Sequence, residues 1–123
     1  MTIYVAVKMK LVETQDMFET MWNADPNAKA LDGMRPTDKM FVVYFTATWC
    51  KFCKNIDLDK VDEVATKKKL TLWKVEHTQN DYTAGYCNVR AFPTFMAFQP
   101  KKVVGQFQSS NTEDICRWIE SLR

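Results

Sequence analysis

The amino-acid sequence predicts an α/β fold with a central mixed β-sheet and helices packed on both of its faces. Three features lead to this prediction: apolar strand-like segments alternate with amphipathic helical segments, two strands near the end follow one another directly, and an amphipathic helix closes the chain. The chain has 123 residues, the usual size of one domain, and we expect a single domain over residues 1–123. A chain of this length can bury a core large enough to fold without disulfide bonds.

The first third of the chain predicts a strand, a helix and a long connection. Apolar residues alternate with more polar ones within residues 1–12, as in a half-buried strand. Thr14 can cap a helix whose apolar residues recur at helical spacing. Residues 25–39 are rich in proline, glycine and aspartate, which predicts a connection with one short helical turn around residues 28–31.

The rest of the chain predicts seven further elements. Residues 40–47 are apolar, β-branched and aromatic throughout, which is typical of a strand buried on both faces. The elements after it are a helix over residues 50–69, a strand over 70–76, a short helix over 80–86, two hairpin strands over 94–98 and 102–107, and a last helix that begins at Asn111 or Thr112. The order β-α-β-α-β-α-β-β-α is that of one mixed sheet covered by helices.

Charge and hydropathy restrict the partners and the compartment. The net charge is only +2, and the charges are interspersed, so neither nucleic acid nor an anionic membrane is an expected partner. No apolar run approaches the length of about 20 residues that crosses a membrane. The first residues lack the features of a secretory signal, so we expect a cytoplasmic protein. Its four cysteines are then no structural disulfide framework, and a close pair indicates redox or metal chemistry.

The residues that most directly indicate chemistry are Cys50 and Cys53, where a buried strand gives way to a helix. A cysteine at the start of a helix lies beside free backbone N–H groups and the positive end of the helix dipole, and both stabilise a thiolate. The thiolate is the nucleophile of disulfide exchange, and Cys53, one turn further on, can attack a mixed disulfide formed at Cys50. Lys51 and Lys54 add positive charge, and Trp49 supplies a flat apolar surface beside the reactive sulfur.

A lone Cys-x-x-Cys pair is also half of a zinc site. The remaining candidate ligands are His77, Cys87 and Cys116, and none of them forms a second close pair, so we expect no metal. Cys87 and Cys116 fit the role of partly buried small side chains. The alternative for both is a second redox switch or an intermolecular disulfide. His77 has no partner motif and is interpreted as structural.

Three segments of the sequence resemble the thioredoxin family: TATWCKFCK at 46–54, VRAFPTF at 89–95 and VGQF at 104–107. The resemblance runs from about Met40 to the C-terminus, and the spacing of the first two segments is that of the family. It implies a thioredoxin-like fold in which Pro93 is a cis proline packed against the cysteine pair. It also implies that the backbone of Phe92 pairs with an extended substrate peptide. Trp49, Phe92 and the loop over residues 108–110 then border a shallow groove.

The activity that the resemblance implies is the reduction of protein disulfides. The substrates are disulfide-containing client proteins, the electron donor is a reductase, and no bound cofactor is needed because the cysteines carry the two electrons. Two alternatives stay open: a redox-sensing module that binds a partner with little turnover, and a glutaredoxin-like protein that works through glutathione. The Trp-Cys lead-in and the VGQF segment favour the thioredoxin type.

Several positions near the pair depart from the family pattern. Lys51-Phe52 stands where the family usually has Gly-Pro. Because the lysine should stabilise a thiolate, we expect this pair to be more oxidising than typical thioredoxin, whose potential is about −270 mV. Leu58 replaces a helix-kinking proline, which predicts a straighter helix. Tyr44 replaces a buried aspartate that accepts the proton of the second cysteine, and with an unperturbed pKa of about 10 it is a poor base. Lys74 keeps the position of the family's partner lysine.

Overall fold

The computed structural model describes residues 10–23 and 40–122. Its elements are β1 (Lys10–Leu11), α1 (Gln15–Trp22), β2 (Phe41–Thr46), a 3₁₀ helix (Phe52–Asn55), α2 (Leu58–Lys67), β3 (Thr71–Glu76), α3 (Asp81–Tyr86), β4 (Thr94–Gln99), β5 (Lys102–Gln108) and α4 (Thr112–Ser121). The predicted order of strands and helices is confirmed from residue 10 onward. The part of the first strand predicted over residues 1–9, and the short turn predicted at 28–31, lie outside the described residues.

The described strands form one mixed sheet in the order β1-β3-β2-β4-β5. β1, β3 and β2 run parallel, while β4 pairs antiparallel with β2 and β5 antiparallel with β4. The carboxyl ends of the three parallel strands therefore meet at one edge of the sheet. β4 runs the other way, so its first residue lies at that same edge, which is where open α/β sheets place their sites.

Alternate residues of β2 face the two halves of the core. Phe41, Val43 and Phe45 belong to the cluster that includes side chains of α1 and α3. Val42 and Tyr44 belong to the cluster that includes side chains of α2 and α4. The first five residues of β2 are buried, as the uninterrupted apolar run predicts, and helices cover both faces of the sheet.

Asparagine and threonine side chains fix where three of the helices begin. Thr14 Oγ1 accepts a hydrogen bond from the Met17 amide at 3.2 Å. Asn80 Oδ1 accepts one from the Thr83 amide at 3.2 Å, and Asn111 Oδ1 accepts one from the Asp114 amide at 2.9 Å. These bonds satisfy N–H groups that have no partner inside the helix, and they confirm the predicted helix starts.

The continuous helix predicted over residues 50–69 is wrong, because two separate helices occupy that stretch. The 3₁₀ helix ends at Asn55, and Ile56 is extended, with φ −85° and ψ 128°. Asp57 then caps α2, since its Oδ1 accepts from the Lys60 amide at 3.2 Å. The Asp57 amide in turn donates to Thr112 Oγ1 at 2.9 Å. A capping side chain competes with a continuing helix, so the expectation that Leu58 would leave this helix straighter is also wrong.

Candidate active site

The cysteine pair lies directly beyond the carboxyl end of β2. A turn follows Thr46, and the Cys50 amide donates to the Ala47 carbonyl oxygen at 3.1 Å. Cys50 and Cys53 are joined as a disulfide, with their Cα atoms 5.4 Å apart. Both cysteines are buried. The structure thus brings together the two residues that the sequence singles out for exchange chemistry.

The backbone at Cys53 points at the sulfur of Cys50. The Cys53 amide donates a hydrogen bond to Cys50 Sγ at 3.2 Å. The sequence predicts that Cys50 begins a long α-helix. In the structure Cys50 instead precedes the four-residue 3₁₀ helix. The Cys53 amide thus places a hydrogen-bond donor at Cys50 Sγ, and donors of this kind stabilise a thiolate.

Aromatic side chains cover one side of the pair. Phe92 packs against Cys50 and Cys53, and the Phe92–Pro93 peptide bond is cis, as the family resemblance implies. Trp49 is 63% exposed, and its ring meets that of Phe92 edge to face, with centroids 5.6 Å apart. Gln108, the last residue of β5, pairs with Thr94 beside Pro93. Of the predicted groove residues, Trp49 and Phe92 are thus in contact beside the disulfide, and Gln108 lies next to the strand that follows Pro93.

His77 also belongs to this aromatic group, although from the sequence alone it is interpreted as structural only. It follows β3 immediately, and its amide donates to the Thr46 carbonyl oxygen at 2.7 Å. Its ring lies 5.0 Å from that of Phe92, centroid to centroid, with the planes tilted by 40°. One signal could have found it: His77 follows a parallel strand, at the sheet edge that also carries the cysteine pair.

On its other side the disulfide borders a pocket of about 220 Å³. Tyr44, Thr46, Cys53, Leu58 and Lys74 are among its lining residues. Tyr44 and Lys74 are register partners on β2 and β3, so the sheet itself presents both side chains to the pocket.

The Tyr44 hydroxyl is held in its neutral form. It donates to Thr46 Oγ1 at 3.1 Å, and its ring stacks on Phe95 with the centroids 4.8 Å apart. Burial raises the pKa of Tyr44 above its ordinary value, although the hydrogen bond with Thr46 lowers it in part. Tyr44 is therefore no base near neutral pH, as the sequence predicts.

The dipeptide between the cysteines projects into solvent. Lys51 is exposed, and Phe52 is 65% exposed. An exposed phenylalanine and an exposed Trp49 flank the disulfide, and large apolar side chains gathered at one place on a surface are typical of protein contacts. The ammonium group of Lys51 adds positive charge to the same surface.

The two remaining cysteines are free thiols outside this group. Cys87 packs against the α1 and α3 side of the core, and burial raises its pKa from 9.0 to about 12. Cys116 lies among the buried residues between α2 and α4, and burial is the main cause that raises its pKa. Both cysteines pack in the core as small apolar side chains do.

Two further kinds of site are not found in the residues that the structure describes. No three histidine, cysteine, aspartate or glutamate side chains of residues 10–23 and 40–122 come close enough to hold a metal ion. None of the helices in these ranges is long and apolar enough to cross a bilayer.

Comparison with known proteins agrees with this geometry. The sequence model of the thioredoxin family matches residues 27–121. Thioredoxin of Callithrix jacchus is 29% identical over 107 residues, which cover 87% of this chain and 91% of that protein. Human thioredoxin is 32% identical over 85 residues, covering 69% and 81%. The crystal structure of Fasciola hepatica thioredoxin superimposes with a TM-score of 0.73 at 27% identity, covering 94% of this chain and all of that one. The chain belongs to the thioredoxin family of thiol–disulfide oxidoreductases, which reduce protein disulfides.

Proposed function

We propose that Cys50 attacks the disulfide of a client protein and that Cys53 completes the exchange. The Cys50 thiolate forms a bond to one client sulfur, and the other client sulfur leaves as a thiolate and takes up a proton. Cys53, as thiolate, then attacks Cys50 Sγ and releases the second client thiol. The client gains two electrons, and the protein keeps the Cys50–Cys53 disulfide. The hydrogen bond from the Cys53 amide to Cys50 Sγ is the observation that supports an attacking role for Cys50.

The client binds along the aromatic side of the pair. Trp49 and Phe92 are in edge-to-face contact beside the disulfide, and Phe92 packs on the two sulfur-bearing residues. An extended client segment lies across Phe92 and Pro93 and pairs with the backbone of Phe92, as peptides do when they add a strand to a sheet. The exposed ring of Trp49 supplies apolar contact area.

Three residues tune the proton chemistry of the pair. Lys51 stabilises the thiolate of Cys50 through its charge. The pair is therefore more oxidising than typical thioredoxin, whose potential is about −270 mV. Lys74 and Tyr44 line the pocket next to Cys53. Since Tyr44 is neutral there, water in this pocket takes the proton of Cys53, and a lysine charge nearby favours its thiolate.

The reaction cycle requires a donor and a suitable compartment. A reductase returns two electrons to the Cys50–Cys53 disulfide after each turnover. We place the protein in the cytoplasm, where thiols are kept reduced. Client proteins with accessible disulfides are its partners.

A second candidate function is supported by Tyr44. A pair without a buried base exchanges slowly, and a slow pair suits a redox-sensing module that holds one partner in a single oxidation state. Catalytic reduction and stoichiometric capture therefore have to be separated by experiment.

The test is the reduction of insulin by the full chain, with dithiothreitol as the electron source. We expect multiple turnovers by the unmutated chain and complete loss with Cys50→Ser. When Cys53→Ser is first reduced and then freed of dithiothreitol, we expect it to form a stable mixed disulfide with insulin. Cys87→Ala serves as the matched control and keeps its activity. Capture of one equivalent without turnover would favour the sensing module, and activity of Cys50→Ser would contradict the assigned roles.

A further inference from the structure

We propose that His77 is a further client-binding residue of the groove. Its imidazole donates a hydrogen bond from Nε2 to an oxygen of the bound client peptide. This inference rests on the proposed function, because it adds a contact to the same groove.

The position of His77 ties it to the groove. Its ring contacts that of Phe92 at a centroid distance of 5.0 Å. The Phe92 ring in turn contacts that of Trp49 at a centroid distance of 5.6 Å. The three rings form a connected group, with Phe92 against the disulfide. The hydrogen bond from the His77 amide to Thr46 fixes the backbone from which the imidazole projects. A client that crosses Phe92 therefore passes within reach of the imidazole.

The two ring nitrogens of His77 have different surroundings. Nδ1 is buried and has no hydrogen-bond partner among the described residues. A buried N–H without an acceptor loses its hydrogen bonds to water and gains none in the protein. In the neutral tautomer the hydrogen is therefore on Nε2. Nε2 is not among the buried atoms that lack a partner, and the His77 side chain as a whole is partly exposed. The ring therefore offers one N–H donor at the groove.

The chemistry of a single neutral donor determines what it recognises. The ligand is an oxygen acceptor on the client, either a backbone carbonyl or the side-chain carboxylate or amide of a residue next to the client cysteine. An aromatic or aliphatic side chain at position 77 would give the same packing on Phe92 without this donor. A client-binding role for His77 thus differs from a packing role in one measurable contact, the hydrogen bond from the imidazole to the client.

The experiment compares two variants on three peptide substrates and one control substrate. His77→Phe keeps a ring against Phe92 and removes the donor, whereas His77→Gln places an amide N–H donor at a similar reach. The peptide substrates are disulfide-linked pairs with glutamate, glutamine or leucine beside the cysteine. Hydroxyethyl disulfide, which has no peptide group, is the control substrate. The rate of disulfide reduction by the reduced full-length chain gives kcat/KM for each.

We expect His77→Phe to lower kcat/KM for the peptides by about 3- to 10-fold, the effect of one hydrogen bond, and to leave hydroxyethyl disulfide unchanged. His77→Gln restores the peptide rate to within about 2-fold. If the loss is equal for all peptides, the acceptor is the backbone carbonyl, and if it is larger with glutamate or glutamine than with leucine, the acceptor is the side chain.

Three results would overturn the inference. An unchanged peptide rate for His77→Phe excludes the donor role, and so does a loss that His77→Gln fails to restore or that hydroxyethyl disulfide shares. In each case the unmutated chain still reduces the peptides and hydroxyethyl disulfide, so the proposed function stands. Failure of the unmutated chain to reduce either substrate would instead reject the proposed function itself, and the inference with it.

Discussion

At the scale of single residues, we propose that Tyr44 slows the loss of the proton from Cys53. Its hydroxyl is bound to Thr46, and burial raises its pKa above the ordinary value. A group that stays neutral near pH 7 cannot accept the proton of the second thiol. In the proposed exchange water is then the acceptor, and water is a far weaker base than a positioned carboxylate.

A carboxylate at position 44 should therefore speed the exchange. We expect Tyr44→Asp to raise the rate of insulin reduction at pH 7 by about tenfold, a modest effect for an added general base. Tyr44→Asn is the matched control, because asparagine has nearly the same shape as aspartate but no basic group. Equal rates for the two variants would show that proton transfer from Cys53 does not limit the reaction.

Residues of the site differ in how far the sequence can predict them. Cys50, Cys53, Trp49, Phe92 and Pro93 lie in two short motifs, and the structure brings these motifs together. His77 belongs to no motif, and its contact with Phe92 depends on how β3 and β4 flank β2. Such a contact depends on tertiary structure, and no local pattern of residues encodes it.

At the scale of elements, the stretch between Cys50 and Lys69 shows the same division. Its apolar spacing continues across Asp57, so periodicity alone predicts one helix. The break is stabilised by the Asp57 cap and by a hydrogen bond to Thr112, which is 55 residues away in sequence. The capping ability of Asp57 is visible in the sequence, whereas the bond to Thr112 requires α4 to be in place.

The end of α2 offers a stability test. The Leu70 amide donates to the Ala65 carbonyl oxygen at 2.8 Å and the Lys69 amide to that of Thr66 at 3.0 Å, the pattern of a helix end closed by a left-handed residue. That residue is Lys69, with φ 59°. A side chain is disfavoured there, and glycine is not.

We expect Lys69→Gly to raise the free energy of unfolding by about 0.5–1 kcal/mol, because the relieved strain exceeds the extra chain entropy that glycine loses. Lys69→Ala removes the same charge but keeps the β-carbon, and it should not be stabilised. Urea denaturation of both variants measures the difference. No gain of glycine over alanine would show that the left-handed conformation carries no cost here.

At the scale of the whole molecule, the order of elements was sufficient to place the site. Three parallel strands end at one edge, and the cysteine pair, His77 and the start of β4 all lie there. The strands and helices alternate in the sequence clearly enough to predict that edge. The order in which strands pair follows from packing on both faces of β2, which the buried apolar run indicates but does not fix.

Buried thiols make the stability of the molecule depend on alkaline pH. Burial raises the pKa of Cys87 to about 12 in the folded chain, from an ordinary 9.0. Below about pH 9 the thiol is neutral in both states, so its contribution to stability is constant. As the pH rises from about 9 toward 12, the unfolded chain loses the proton first, and the folded state loses stability.

Cys87→Ala should remove this part of the alkaline loss. Between pH 8 and pH 10 we expect the unmutated chain to lose about 1 kcal/mol more of its unfolding free energy than Cys87→Ala does, after allowance for the half-buried position of the thiol. Tyr44 acts in the same direction but is common to both chains. Denaturation at the two pH values measures the difference, and parallel losses would contradict a buried neutral thiol.

The most direct test of the central claim is the midpoint potential of the Cys50–Cys53 pair. Thiol trapping across a series of redox buffers, followed by mass spectrometry of the peptides that contain each cysteine, measures it. We expect a reversible two-thiol transition confined to Cys50 and Cys53, at a potential above about −270 mV and below about −180 mV. A midpoint at or below about −270 mV would contradict the tuning role of Lys51. The absence of a reversible transition at these two cysteines would contradict the exchange chemistry itself.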